Sequence, residues 1–490
     1  MSLPQDEIAS LYTEITSLRQ ELIGASKNHD DFEYIHPSHR ESAENLAQYV
    51  ALRHRDLREV QTRLSDLGLS SLGRLEPHVL ATVSAVCTAL SCLAHKPDEL
   101  SAEGFLDFHQ GRRALELQTE ALLGPSANPA RQTRIMVTLP SEAADEYKVV
   151  DKIIQANAEV VRINCAHDGP KEWAKMIGYV RRASKKYGRD VKIAMDLAGP
   201  KLRTGKYLAG KSKKIKVNIG DRVLLVPDST EIIAGESPVR IPCSLNQVFK
   251  DAKIGHRIFF DDGKVSGIVT KVSKNSLGIK ITDTEPGGSK IGQEKGINLP
   301  DSNLELLALT EVDMKNLAFI IANADIVSLS FVRSENDVLH LLNLLNESAG
   351  NGLGVILKIE TVSGFKRLPE ILFAALRWPN VGVMIARGDL AVEAGYLRLA
   401  ELQEEILWLC EAAHVPVVWA TEVLDSLAKT GRPSRAEVTD AAMSGRAECV
   451  MLNKGPYVIK AVKFLDDVLA RMDDHQHKKQ SLLRELQSWA

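Results

Sequence analysis

Two clusters of charge each close an apolar run of strand length. Lys358 and Glu360 follow Gly354 to Leu357, and Arg387 and Asp389 follow Val381 to Ala386. A run of this kind reads as a strand buried on both faces, as in a parallel sheet covered by helices. Charge at the end of such a strand is costly in a core unless it is paired or metal-bound. At the C-terminal strand ends of an α/β barrel it marks the active site. Single surface ion pairs account for any one of these residues, but not for so many at one mouth. The carboxylates of Glu360 and Asp389, on neighbouring strands, suit a hard divalent cation that keeps several waters, Mg2+ or Mn2+. The cations Arg162, Lys201, Arg203 and Lys358 suit a substrate carrying phosphate and carboxylate groups. Other strand ends add Asn164 and His167, Asp196, Ser330 and Arg333, Thr421 and Glu422, and Asn453 and Lys454.

Eight apolar runs must position these residues: 134–139, 159–165, 191–197, 325–331, 354–360, 381–387, 416–421 and 448–453. Amphipathic stretches such as 146–158 and 400–413 lie between most of them. Eight βα units at this spacing predict an α/β fold, a TIM (β/α)8 barrel over 132–205 and 297–472. The interval 206–296 has a different texture, with short Val, Ile and Phe runs broken by Gly and by Asp261-Asp262-Gly263. That texture predicts an inserted all-β domain with hairpins. An insertion in a βα loop lies on the catalytic face and can act as a lid. Residues 1–125 predict an N-terminal helical domain, with Ile8, Leu11, Ile15, Leu18 and Leu22 forming one apolar stripe. A polar C-terminal helix is expected over 473–490.

Composition narrows the class further. A formal net charge of -3 points to no nucleic-acid partner and no polybasic membrane anchor. Six cysteines are scattered without a CxxC pair, which argues for a reducing compartment and against structural zinc. The opening MSLPQDEIAS carries acids where a signal peptide carries bases. The most apolar stretch, 78–94, contains Thr and Ser and is read as a buried helix, not a membrane span. A cytoplasmic protein is expected.

Nine stretches carry a resemblance: VRINCAHDG, MDLAGPKLRTG, FFDDGKVS, KGINLP, SFVRSENDV, LKIETVSGF, MIARGDLAVE, PVVWATEVLDS and RPSRAEVTDAA. In order and spacing they resemble motifs of the pyruvate kinase family, across roughly residues 134 to 455. The resemblance implies Mg2+ (or Mn2+) held by Glu360 and Asp389, with phosphoenolpyruvate, pyruvate and ADP/ATP as partners. Lys358 would stabilise charge on the transferring phosphoryl group and the enolate oxygen. The backbone at Arg387, Gly388 and Asp389 would seat the substrate carboxylate at a helix N-terminus. Thr421 would lie on the proton path to the methylene carbon, and Ser330 would line that pocket. Arg162 and Arg203 would neutralise phosphates, with Asn164 and His167 near the nucleotide. Asp262 and Lys295 would come over from the lid. A homo-oligomer is implied as well.

Several positions depart from the family pattern. Ala166 removes a hydroxyl of the monovalent-cation site, Leu197 replaces a threonine, and Lys201 stands in place of a glutamate. Family members with lysine there resemble potassium-independent enzymes, with the ammonium substituting for the ion. No K+ requirement is therefore expected. Pro140 and the shortened 452–456 loop alter the nucleotide side more than the enolate side. The resemblance also stops near where the family's C-terminal regulatory domain begins, and the helices of 1–125 have no counterpart in the common pattern. Two alternatives stay open: an enolate enzyme with a different acceptor, and a non-catalytic phosphoenolpyruvate sensor.

Overall fold

The apolar runs become a closed, all-parallel barrel in the computed structural model. It describes residues 5–482 apart from 28–31, 97–106, 207–213, 231–236, 303, 305, 349 and 351. The barrel strands are β1 (Arg134–Thr138), β2 (Val160–Asn164), β3 (Lys192–Asp196), β4 (Ile326–Leu329), β5 (Gly354–Ile359), β6 (Val381–Ala386), β7 (Val417–Ala420) and β8 (Cys449–Leu452). Each strand pairs with the next, and β8 closes on β1 through Arg134 opposite Cys449. Met136, Ile356, Met384, Val418 and Met451 fill the interior, so the barrel is a packed core and not a pore.

Five helices precede it: α1 (Gln5–Lys27), α2 (Arg40–Arg53), α3 (Arg58–Asp66), α4 (Val79–Leu93) and α5 (Gln110–Leu123). The last of them stoppers the barrel floor. Leu122 and Leu123 of α5 are buried with the barrel interior. A Cβ at Gly354 or Gly382 would lie only 2.5 or 2.6 Å from the Leu122 methyls, so glycine at both positions makes room for that side chain. The stretch Glu76–Leu93 is long and apolar enough to cross a membrane by composition alone. In this fold Leu80, Val83, Val86 and Leu90 are buried in the core shared with α1 and α2.

Polar contacts fix the helices to the barrel. Asn45 donates to the carbonyls of Glu76 and Ala412 and accepts from the Val79 N–H. The His414 ring meets Ser42 Oγ and the Pro77 carbonyl, each at 2.9 Å, and the His39 ring meets the Pro379 carbonyl at 3.0 Å.

Residues 206–296 leave after β3 and form mostly antiparallel strands, as expected for the insertion. Arg222–Pro227, Val239–Cys243, Arg257–Phe260, Val265–Ser273, Ser276–Thr284 and Ile297–Asn298 make one sheet. Lys214–Val217 and Ser289–Gly292 form a second pair. This domain has its own core of Leu225, Ile241, Phe260 and Ile279.

One expectation is corrected. The described part of 473–490 is a two-stranded hairpin, Gln476–His477 with Gln480–Ser481, and residues 483–490 lie outside the described residues. Lys478 pairs with Glu448 and Lys479 with Glu76, both carboxylates being almost fully buried. Two adjacent lysines reach these separate anchors because Lys478 takes a left-handed backbone (φ 52), which a helix would not allow.

Burial pushes the His39 and His414 imidazoles down from 6.5 to about 4. Their neutral forms dock the helices. The unfolded chain takes up protons near pH 6.5 that the folded chain refuses, so this contribution is intact above that pH and declines toward pH 4. Glu393 and Glu411, raised to about 7 by burial, act in the opposite direction, so the diagnostic is a difference between variants. Urea unfolding at pH 7.5 and pH 5 is expected to show a smaller acid-side loss for His414→Gln than for the parent chain.

Candidate active site at the barrel mouth

Four buried charges meet at the ends of β2, β3 and β5. Arg162 Nε donates to Asp196 Oδ2 at 2.8 Å, and its NH1 donates to Thr138 Oγ1 at 3.0 Å. Lys358 Nζ lies 3.4 Å from Asp196 Oδ2 and 3.1 Å from Glu360 Oε1. It also donates to Ser330 Oγ at 2.9 Å, and Ser330 in turn donates to the Leu197 carbonyl at 2.7 Å. The alternation of β3 and β5 delivers Asp196 and Lys358 inward from strands that are otherwise apolar.

Burial opposes every charge here, and pairing decides the outcome. Burial alone would lower the Lys358 ammonium, but Glu360 and Asp196 outweigh it and hold it raised. Burial would raise Asp196, but Arg162 and Lys358 hold it low. Glu360 goes the other way. Burial, joined by repulsion from Asp389, pushes its carboxyl up despite Lys358. The Phe331 N–H donates to Glu360 Oε2 at 2.6 Å, and Phe331 takes a left-handed backbone (φ 55) in doing so.

Asp389 lies in the Arg387–Ala394 helix, directly after β6. Two mutually repelling carboxylates, one deeply buried, form the kind of oxygen-donor pair that a hard divalent cation would relieve. Glu360 and Asp389 therefore fit a Mg2+ or Mn2+ ion. No cluster of three or more ligating side chains occurs among the described residues, so water and substrate oxygens would complete its shell.

The helix start is arranged differently from a bare anion seat. The Gly388 N–H donates to Thr421 Oγ1 at 2.7 Å, which leaves the Thr421 hydroxyl proton free to be given. Thr421 and Glu422 both have left-handed backbones (φ 67 and φ 60), strain of a kind that gathers at functional sites. The Arg387 side chain turns away from the mouth. It grips Asp440 at 2.5 and 2.9 Å, donates to the carbonyls of Ala420 and Thr421, and covers the Trp419 ring at 4.9 Å. Only its backbone belongs to the site. Arg333 likewise turns aside, to the carbonyls of Leu304 and Leu306.

Lys201 Nζ meets both oxygens of Asp389, at 2.7 and 2.9 Å. The ammonium expected to replace a monovalent ion thus rests on a candidate divalent-metal ligand, while Asp196 is met by Arg162 and Lys358. On the nucleotide side, Thr138, Arg162, Asn164, His167, Lys429 and Lys454 line a cleft of about 260 Å3. Burial, reinforced by Lys454, lowers the His167 imidazole, so it enters that cleft neutral. Arg203 donates to the Glu294 carbonyl at 3.2 Å while its charge still acts on His167, and Lys295 pairs with Asp261 at 3.0 Å within the lid.

Two positioning contacts escaped the sequence reading. The Asp313 carboxylate accepts from the N–H groups of Ala198 and Gly199, which pins the chain as it leaves for the lid. Its only trace in the sequence is the capping pattern Thr310-x-x-Asp313. Asn298, on the return strand, donates to Glu393 Oε1 at 3.1 Å, and Glu393 shares a helix with Asp389. Nothing local in the sequence marks that pair.

A description of the family, pyruvate kinase, barrel domain, matches residues 130–462. The chain is 32% identical over 372 residues to pyruvate kinase PKLR of Rattus norvegicus, covering 73% of this chain and 62% of the rat protein. It is 32% identical over 365 residues to a pyruvate kinase of Trypanoplasma borreli, covering 73% and 70% of the two chains. A pyruvate kinase of Clostridium acetobutylicum is 31% identical over 339 residues, 68% of each. The chain belongs to the pyruvate kinase family. It spans about three fifths of the length of the rat relative, and the family match coincides with the barrel and its insertion.

The Arg387–Asp440 contact generates a test of its own. Arg387→Lys and Asp440→Asn are each expected to cost about 2 kcal/mol of stability through the lost charged hydrogen bonds. The double variant should cost clearly less than the sum, since both changes break one interaction. Urea denaturation of the four proteins measures this.

Proposed function

We propose that this chain transfers a phosphoryl group from phosphoenolpyruvate to ADP, giving pyruvate and ATP. The observation that carries the reading is the Lys358 ammonium, buried between Asp196, Glu360 and Ser330 at the rim that also holds Thr421 and Asp389. A fixed cation in a dry site is the device that phosphoryl and enolate chemistry requires. Glu360 and Asp389 hold Mg2+ (or Mn2+), which when bound supplies charge neutralisation for carboxylate and phosphate oxygens.

The side chains then divide the work. Lys358 balances negative charge on the phosphoryl group in flight and on the enolate oxygen left behind. Backbone N–H groups at Arg387 and Asp389 orient the substrate carboxylate, while the Gly388 N–H turns to Thr421. Thr421, its oxygen held by Gly388, passes a proton toward the methylene carbon as pyruvate forms and takes one from solvent in its place. Arg162 faces the phosphates, Asn164 and the neutral His167 line the nucleotide cleft, and Arg203 and Lys295 bring further cations when the lid closes. Lys201 supplies a positive charge at the mouth in place of a monovalent ion, so turnover needs no K+. The molecule acts in the cytoplasm and as a homo-oligomer, the strongly exposed Tyr396 and Leu397 offering an apolar contact for a second copy.

Pyruvate release from phosphoenolpyruvate and Mg2+ is the test, with and without ADP, in sodium and then potassium buffer. ADP-dependent turnover of equal rate in both buffers is expected, with Lys358→Met lowering kcat by about 10^3. Pyruvate formed without ADP would assign another acceptor. Phosphoenolpyruvate bound but never turned over would make the chain a sensor.

A further inference from the structure

We propose that Lys201 competes with the divalent cation for Asp389, so that the metal binds in this site only by displacing the lysine. The inference rests on Glu360 and Asp389 being the metal ligands. It goes beyond the potassium-substituting role, because it concerns what the ammonium holds before any metal arrives.

The geometry is that of a stand-in cation. Lys201 Nζ engages both Asp389 oxygens, at 2.7 and 2.9 Å, and so already balances the charge that a metal would have to meet there. The two side chains are 19% and 17% exposed. That is buried enough for the pair to matter, and open enough for each partner to be rehydrated when they part.

The charge balance argues the same way. Around the mouth, Arg162, Lys201 and Lys358 face Asp196, Glu360 and Asp389, three cations against three carboxylates. A divalent ion added to this neutral set leaves an excess of two positive charges. Releasing Lys201 to solvent removes one of these charges and an anionic substrate offsets the rest, so metal binds weakly alone and more tightly with its substrate.

Lys201 also sits in the lid hinge. The Ile297 N–H of the returning strand donates to the carbonyl of its neighbour Leu202. A Cβ at Gly296 would come within 3.1 Å of Lys201 Cε and 3.8 Å of Asp262 Oδ1, so the stem runs between the two crossings of the lid. Displacing the ammonium therefore acts on the segment that carries the lid.

The experiment is Mn2+ binding by the full chain without phosphoenolpyruvate or nucleotide, followed through the electron paramagnetic resonance signal of free Mn2+. Lys201→Gln is expected to tighten binding by about tenfold, because a neutral side chain no longer occupies Asp389. Lys201→Arg, which keeps a cation, should stay near the parent affinity, and Asp389→Asn should abolish binding. Parent-like affinity in Lys201→Gln, with binding still lost in Asp389→Asn, overturns the competition and leaves the metal site standing. Undiminished binding in Asp389→Asn overturns the metal assignment itself. Should Lys201→Gln fail to fold, Lys201→Met replaces it, and the same two outcomes decide.

Discussion

The Lys358 ammonium between Asp196 and Glu360 is the contact on which the mouth of this barrel depends. Four ionised groups, Arg162, Asp196, Lys358 and Glu360, lie almost out of reach of water. Each would cost several kcal/mol to bury alone. Together they cancel in charge, and hydrogen bonds given to Thr138 and Ser330 and received from the Phe331 N–H occupy much of their remaining capacity. The surrounding barrel gives these groups little room to relax, because its interior is packed solid and its floor is closed by Leu122. Glu360 remains the one member pushed toward protonation, held there by burial and by Asp389. A cation delivered to that pair of carboxylates would complete the arrangement.

The lid is tied to this network at both of its crossings. Asp313 fixes the outgoing turn through two backbone N–H groups, and Lys201 follows immediately with its ammonium on Asp389. On return, Asn298 reaches Glu393, one helical turn beyond Asp389. The helix that presents the candidate metal ligand Asp389 thus also receives both lid contacts. Lid position and site charge are therefore linked through a single short element, Arg387–Ala394.

How much of this could be read in advance depends on range. The eight barrel strands were legible because each is a local apolar run, most of them followed by charged or polar residues, and the pattern places Lys358 and Glu360 at the end of β5 and Asp389 just beyond β6. The inserted domain was legible for the same local reason. Contacts made across the fold were not. Lys201 and Asp389 are 188 residues apart and Arg387 and Asp440 are 53 apart, so nothing in either neighbourhood announces the partner. Arg387 shows the same limit, since the motif places its backbone at the helix start while the partner of its guanidinium, Asp440, is invisible locally. The C-terminal stretch misled through its polar, helix-compatible composition. Tertiary anchors at Glu76 and Glu448 overrode that preference.

The central claim is that Glu360 and Asp389 form a metal-bound enolate site beside Lys358. Crystals of the full chain grown with Mn2+ and oxalate, a planar dianion shaped like the enolate of pyruvate, test it most directly through the anomalous signal of manganese. The account predicts one manganese peak bridging Glu360, Asp389 and oxalate, with Lys358 against the oxalate oxygens. Manganese and oxalate bound elsewhere, with Glu360 and Asp389 still holding only their lysines, would contradict it.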